Sequence, residues 1–426
     1  MKENIYGRLL IKKDLDPNIP LDEISSFEAM TELSSQKISC NRCGTVHLKS
    51  EVKLQINAYY CPSCINMGRI RSDEKLYHLP QISFPPSDVM TWRGTLTAYQ
   101  KEISEYLIKA IDNKSQILVH AVTGSGKTEM IYEAVNKTLK SGGAVAIASP
   151  RIDVCIELHK RLSKDFNLPI ALLHGEAEPY FRTAFVISSN HQLLRFKEAF
   201  DLLIIDEVDA FPFRDNEMLY FASKQARKKE STLIYLTATS TENLEKQVQS
   251  KQLKRVTLAR RFHANPLVVP KNIWRSQFYK KLKEQRKDGF PLLIFVPEIN
   301  FGLDFTEKLT QKFPDEKIGF VASTSKNRLD FVEDFRQKKI TILVSTTILE
   351  RGVTFPMVDS FVYNADHFNF TSSALIQIAG RVGRSFERPT GRVYFFHQGK
   401  TKAMVHAIAE IKKMNKIGYS KNKGKQ

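Results

Sequence analysis

The sequence predicts an α/β protein of two doubly wound parallel-sheet lobes, preceded by a small N-terminal four-cysteine zinc module. Three observations carry that prediction. Short apolar runs at residues 117–119, 144–148, 184–187, 202–205 and 233–236 alternate with amphipathic stretches of helical length. The same alternation returns at 292–296, 317–321, 341–344, 360–363 and 392–396. Runs of this kind read as strands buried on both faces, which a parallel sheet covered by helices requires. Ahead of both series, Cys40, Cys43, Cys61 and Cys64 form two Cys-x2-Cys pairs.

Taken in order, residues 1 to about 35 are polar and weakly periodic, and residues 38–66 hold the cysteine quartet. Two tight turns 17 residues apart place four thiolates to close a tetrahedron around Zn2+. A redox dithiol and an iron–sulfur site are the other readings of this spacing, and His47 is an alternative ligand for one sulfur. So short a module needs its metal to fold. Arg42, Lys49, Lys53, Tyr59 and Tyr60 are its candidate DNA contacts, docking of a partner protein being the equal alternative. Three prolines within residues 76–86 predict an extended connector. The first lobe follows, and His-Ala-Asn-Pro at 263–266 interrupts the pattern before the second. The predicted divisions are therefore 1–85, 86–262 and 263–426, the last ending in a basic tail. Cys155 stands alone and reads as a small buried residue.

A chain of 426 residues with 42% hydrophobic and 26% charged residues is an ordinary globular protein, which excludes collagenous and disordered classes. No apolar run exceeds five residues, against the roughly 20 of a membrane helix. The first residues lack a secretory pattern, so a cytoplasmic location is expected. A net charge of +18 favours a polyanionic partner, although a solvated basic surface gives the same number. The motifs decide between them.

Directly after the run at 117–119 comes Ala-Val-Thr-Gly-Ser-Gly-Lys-Thr at 121–128. Gly124 and Gly126 allow positive φ and bring bare N–H groups against phosphate oxygens, so Thr123, Gly124, Ser125, Gly126, Lys127 and Thr128 form a candidate ATP cradle. Lys127 is placed to neutralise the β- and γ-phosphates, and Thr128 to hold Mg2+. Ala121 stands where the usual pattern has its first glycine. After the run at 202–205 come Asp206, Glu207, Val208 and Asp209, at the carboxyl end of a strand, where open α/β sheets present ligands. Asp206 is the second Mg2+ candidate, and Glu207 the candidate base for the attacking water.

Together these residues resemble superfamily 2 helicases and translocases, with ordered motifs from residue 93 to residue 384. The resemblance implies RecA-like lobes with ATP held between them. It assigns Gln100 to the adenine edge and Arg151, His191 and Thr346 to loops that touch the nucleic-acid strand. Thr237, Ala238 and Thr239 match the motif that links hydrolysis to movement. Gln377, Arg381 and Arg384, in Gln-Ile-Ala-Gly-Arg-Val-Gly-Arg, resemble the final motif, whose arginines face the γ-phosphate. On a continuous helix Gln377 and Arg381 share one face, with Arg384 a turn further on. Guanidinium groups there stabilise charge developing in the transition state.

Within the superfamily the chain most resembles the ComFA-type ATPases of bacterial DNA uptake. The resemblance rests on the cysteine module ahead of the first lobe, on Ala-Phe-Pro at 210–212 after the acidic motif, and on the short stretch beyond Arg384. It implies an ATP-dependent single-stranded DNA translocase or helicase driving DNA uptake in natural competence, at the cytoplasmic face of the membrane. The implied partners are single-stranded DNA, a membrane DNA-uptake channel protein and a phosphoribosyltransferase-like competence protein. A PriA-like replication-restart helicase is the nearest rival, and a non-catalytic nucleic-acid-binding module is the reading from a different class. Lys127, Glu207 and Arg384, groups used only in chemistry, argue against the latter.

Overall fold

The computed structural model describes residues 2–175, 179–325, 327–351 and 353–420. By compactness the chain divides into two units, Met1–Val119 with Thr128–Val256 and His120–Lys127 with Thr257–Gln426.

The first unit begins with structure that the polar N-terminal sequence does not announce. Strands β1 (Leu9–Ile11), β2 (Ser25–Glu28), β3 (Met30–Glu32), β4 (Lys37–Cys40), β5 (Val46–Leu48) and β6 (Lys75–His78) form two antiparallel three-stranded sheets, ordered β1-β6-β2 and β3-β4-β5. In the first, Leu10 lies opposite Tyr77 and Phe27 opposite Leu76. Residues 76–78, expected to open an extended connector, are thus the central strand of a sheet. Leu76 is fully buried there, and the prolines begin only at Pro80. Beyond β6 the connector carries no helix or strand until residue 98. Its backbone is satisfied by loops of the same unit, with Phe84 N donating to Gly142 O at 2.8 Å and Asn167 N to Val89 O at 2.7 Å.

Helix α1 (Ala98–Asp112) starts at a capping box in which Thr97 and Gln100 bond reciprocally, and it buries Ile103, Leu107 and Ile111 at i, i+4 and i+8. The elements that follow are β7 (Gln116–Ala121), α2 (Lys127–Met130), α3 (Tyr132–Lys140), β8 (Val145–Ser149), α4 (Ile152–Asp165), β9 (Ile170–Leu173), β10 (Phe185–Ser189), β11 (Phe200–Ile205), α5 (Glu217–Ala226), β12 (Arg227–Thr237), α6 (Glu242–Gln249) and β13 (Lys254–Leu258). The sheet runs β13-β7-β12-β11-β8-β10-β9, and strands β8 to β12 pair in parallel. Its core includes Leu203, Ile205, Ala146 and Ala148, all buried.

The second unit holds β14 (Lys271–Trp274), α7 (Phe278–Arg286), β15 (Leu292–Phe295), α8 (Ile299–Lys312), β16 (Ile318–Val321), α9 (Arg328–Arg336), β17 (Ile342–Ser345), β18 (Asp359–Tyr363), α10 (Ser372–Ala379), β19 (Val393–His397) and α11 (Lys402–Tyr419). Its six strands run β14-β19-β18-β15-β17-β16, every pair parallel. Successive residues feed opposite cores. Leu293, Phe295, Leu343 and Val362 face one apolar cluster, and Leu292, Ile294, Ile342 and Phe361 the other. Burial on both faces is why these strands are unbroken apolar runs in the sequence. Of the lysine-rich end expected from Ile411, Lys412, Lys413 and Lys416 lie on α11, and the residues from 421 onward lie outside the described ones.

Candidate functional site

The nucleotide loop grows out of β7. Gly124 and Gly126 adopt φ of 77° and 75°, the left-handed conformation that a glycine takes without steric penalty. Helix α2 opens at Lys127, whose Nζ lies 3.4 Å from Ala121 O. Backbone bonds tie the loop to the end of β13 and the chain after it, with Val122 N donating to Leu258 O and Phe262 N to Gly124 O, both at 3.1 Å. These bonds place 120–127 in the second unit, together with Arg381 and Arg384. Gly380 packs directly on the loop, where a Cβ would stand 2.0 Å from Thr123 Oγ1. No larger residue fits at that position.

Arg261, which the sequence reading missed, holds this arrangement. It is 2% exposed and donates only to main-chain carbonyls. Nε reaches Thr123 O at 3.2 Å, Nη1 reaches Val382 O at 2.8 Å and Gly383 O at 2.5 Å, and Nη2 reaches Gly380 O at 3.1 Å. One guanidinium fork therefore ties the nucleotide loop to the arginine motif. Burial, reinforced by the charge of Arg384, pushes its pKa down to about 9. The signal available in the sequence was an Arg-Arg pair just ahead of the His-Ala-Asn-Pro break. Arg261→Lys keeps a charge but loses the planar fork. It is expected to lower kcat about tenfold or more through a misplaced loop, with a smaller change in KM. Steady-state ATPase kinetics read that split, and Arg261→Ala is expected to be worse in both thermal stability and turnover.

The arginine motif departs from expectation in one respect. Helix α10 ends at Ala379, Gly380 caps it, and Gly383 turns the chain at φ 69°, so Arg381 and Arg384 lie beyond the helix and do not share a helical face with Gln377. Arg381 is 1% exposed, and its Nε donates to Glu350 O at 3.1 Å. Arg384 donates through Nε to Gly380 O at 3.0 Å and through Nη1 to Thr354 Oγ1 at 3.3 Å. Glu350 and Arg351, in the stretch that begins at Thr346, are also buried, and Arg351 reaches Ser373 Oγ at 2.9 Å.

In the first unit Asp206 and Glu207 leave the carboxyl end of β11. Asp206 Oδ1 accepts from Glu207 N at 2.9 Å. Glu207 holds φ 53°, a strained value for a non-glycine residue and one that recurs at functional sites. Asp209 turns inward, its carboxylate accepting from Thr237 Oγ1 at 2.8 Å and from Thr239 Oγ1 at 2.5 Å. The acidic motif and the Thr-Ala-Thr motif are therefore one hydrogen-bonded piece.

Arg151 and His191 follow β8 and β10, so with Asp206 they occupy the same end of three neighbouring strands. Burial holds the His191 imidazole below its ordinary pKa. Thr346 follows β17 at the corresponding end of the second sheet. Gln100 is buried, and its Oε1 accepts from Thr97 N at 2.9 Å and Thr97 Oγ1 at 3.0 Å.

The four cysteines converge. Sulfur separations are 3.8 Å for Cys40–Cys64, 3.5 Å for Cys43–Cys61 and 3.6 Å for Cys61–Cys64. A tetrahedron with Zn–S bonds of about 2.3 Å has edges of about 3.8 Å, so the donor set fits zinc in size and chemistry. His47 Nε2 lies 3.3 Å from Cys61 Sγ, against the quartet and outside it. Arg42 cannot serve as a surface DNA contact. It is 4% exposed and donates to Cys64 O at 2.7 Å, Cys64 Sγ at 3.1 Å, Met67 O at 3.0 Å and Gly68 O. The Cys64 thiol is held below its ordinary pKa first by its hydrogen bond with Cys40 and also by the Arg42 charge. Lys49 pairs with Glu32 at 2.9 Å, Tyr59 and Tyr60 are half-buried, and Lys53 is exposed. Cys155 is buried as expected, with its thiol pushed up to about 12 chiefly by burial. No helix among the described residues is long and apolar enough to cross a membrane.

Comparison with known proteins adds lineage to this geometry. Residues 5–78 match the model of the competence protein ComFA N-terminal domain, residues 97–247 that of DEAD/DEAH box helicases, and residues 275–386 that of the helicase conserved C-terminal domain. The chain is 52% identical to the competence protein ComFA of Streptococcus pneumoniae, over 98% of this chain and 99% of that one. It is 38% identical to that of Bacillus subtilis, over 92% and 88%. Among solved structures, the Mycobacterium smegmatis helicase Lhr shares the fold at 15% identity and a TM-score of 0.57, over 76% of this chain and 50% of that one. The matches to the DEAD/DEAH box and helicase C-terminal models make this a helicase-type ATPase. The identity extends through its N-terminal cysteine module as well, and the chain belongs to the ComFA family of competence proteins.

Proposed function

We propose that this chain is an ATP-driven translocase of single-stranded DNA that moves the strand into the cell during natural competence. The observation that carries the reading is a complete hydrolytic set, Lys127, Asp206, Glu207, Arg381 and Arg384, in a chain of the ComFA family. In this reading Thr123, Gly124, Ser125, Gly126, Lys127 and Thr128 bind the triphosphate. Glu207 orients and deprotonates the attacking water, and Arg381 and Arg384 stabilise charge on the transferred phosphoryl group. Thr128 and Asp206 are the residues that hold Mg2+, which neutralises charge on the β- and γ-oxygens when bound. Gln100 turns toward adenine from its capping box. Asp209, bonded to Thr237 and Thr239, passes loss of the γ-phosphate to the rest of the first unit.

Arg151, His191 and Thr346 grip the strand, and the net charge of +18 supports a polyanionic track. Cys40, Cys43, Cys61 and Cys64 bind Zn2+. Family membership also supports work at the inner face of the membrane, with a channel protein and a phosphoribosyltransferase-like competence protein as partners. ATP turnover measured with single-stranded DNA, duplex DNA and RNA at two salt concentrations tests the reading. Strongest stimulation by single-stranded DNA, weakening as salt rises, is expected. Equal turnover with and without any nucleic acid would sink it.

A further inference from the structure

A second pair of cations, Arg8 buried and Arg195 half-buried, lies in the first unit beside the cysteine module. Arg8, just ahead of β1, is 8% exposed, and Arg195 ends the 3-10 turn Asn190–Arg195 that follows β10. With Tyr180, Leu10, Asp14 and Asp16 they line a cleft of about 400 Å³. The volume is that of a small-molecule site rather than a packing defect.

Arg8 is fixed in place without using its terminal donors. Arg8 Nε donates to Arg195 O at 3.3 Å, and its guanidinium lies 4.4 Å from the centre of the Tyr180 ring and 5.4 Å from that of Phe196. Among the described residues no acceptor meets the terminal nitrogens of Arg8 or Arg195. Behind them Arg195 Nε and Tyr180 OH are buried and lack acceptors too. Asp14 is the exposed acid at the rim whose charge reaches both arginines, and Asp16 is occupied by Asn18. Burial pushes Arg8 down to about 10, opposed by Tyr180 and reinforced by the charge of Arg195. Burial likewise lowers Arg195, opposed by Asp14 and reinforced by Arg42 of the cysteine module. Two like charges, partly desolvated and short of acceptors, are unfavourable until an anion joins them.

We propose that the cleft between Arg8 and Arg195 is a binding site for a phosphoryl oxyanion, borne by a nucleotide or by the backbone of a nucleic-acid strand. Planar forks from two arginines present several donors to one centre, which suits the three oxygens of a phosphoryl group better than the two of a carboxylate. The cleft is also several times larger than a phosphate ion, leaving room for an attached sugar. Arg195 shares its turn with His191, so a strand held at His191 has a route to the cleft. The site is independent of the translocase reading, since free nucleotide serves equally as its ligand.

The test uses the full chain carrying Lys127→Ala, so that the nucleotide loop does not dominate the signal. Inorganic phosphate, thymidine monophosphate and an oligothymidine strand are titrated calorimetrically at constant ionic strength in chloride. Binding of the small phosphates is expected, weakened about ten- to hundredfold by adding Arg195→Gln and less by Arg195→Lys. Arg8→Gln should do the same. Because Arg8 is the more buried, thermal melting checks that each variant is folded, and Arg195→Gln decides if Arg8→Gln is not. If Arg195→Gln also weakens the oligothymidine strand, and phosphate competes with it, the strand is the source. If only phosphate and the monophosphate are affected, a free nucleotide is. Absence of binding by all three, or equal affinities in a folded Arg195→Gln chain, overturns the proposal.

Discussion

Lys127→Ala is expected to lower DNA-stimulated ATP turnover by about 10²–10³-fold, the scale on which loss of one preorganised charge-stabilising group acts. The size follows from where the lysine sits. Gly124 and Gly126 in left-handed conformations set the loop, Arg261 and Gly380 hold it within the second unit, and in the proposed reading Lys127 is the ammonium group that it carries to the phosphates. Its charge matters most as the bond to the leaving oxygen breaks, so kcat should fall more than KM rises. Arginine at 127 should not rescue, because a planar fork does not replace a compact ammonium in a loop built around one. Binding of a single-stranded oligonucleotide should persist, since the residues proposed to grip the strand, Arg151, His191 and Thr346, are not members of the loop. Retained stimulation by DNA in the alanine variant would remove Lys127 from the site altogether.

Ten of the thirteen strands in the two large sheets were legible as apolar runs, and the three that were not, β9, β13 and β14, all lie at sheet edges. Strand β9, Ile-Ala-Leu-Leu, is itself a mostly buried apolar run that the sequence reading passed over, whereas β13 and β14 are incompletely buried. Lys-Arg-Val-Thr-Leu in β13 and Lys-Asn-Ile-Trp in β14 carry the charges and polar groups that protect an edge, and so do not read as buried runs. The two small N-terminal sheets escaped for a related reason. Their strands have three or four residues, too short for a period to register.

Residues of the candidate site were legible where chemistry restricts the choice of side chain and invisible where only packing does. Lys127, Asp206, Glu207 and the cysteines stand out as residue types at fixed spacing. Arg261 does not, because its partners are main-chain carbonyls that any sequence supplies. Arg42 was misread outward for the converse reason. A lone arginine between two cysteines reads as a surface charge, and only the fold shows carbonyls of residues 64, 67 and 68 converging on it. The end of α10 at Ala379 was likewise readable in principle, since Gly380 and Gly383 flank Arg381 and glycine is the usual helix terminator.

Cys61→Ser is expected to abolish stoichiometric zinc and to unfold residues 38–66, because a structural zinc site of this type contributes about 10–16 kcal/mol at neutral pH. The cysteines are not ornaments on a module folded by other means. Cys40, Cys43, Cys61 and Cys64 are all buried, within a cluster whose other local members include Ile38, Val52 and Ile70. Without the metal, mutually repelling thiolates or a crowded set of thiols would remain at its centre, and Arg42 would keep a buried charge beside them. Metal content of the purified chain gives the first readout. Thermal melting gives the second, with loss of a low-temperature transition while the two large sheets still melt together. The affinity for single-stranded DNA then separates the two roles open to the module. Loss of zinc with normal DNA binding makes it a docking element for a protein partner. Loss of zinc with weakened binding brings Lys53, with the half-buried Tyr59 and Tyr60 behind it, onto the strand. A variant that retains one zinc per chain would mean that His47, 3.3 Å from the Cys61 sulfur, moves in to replace it.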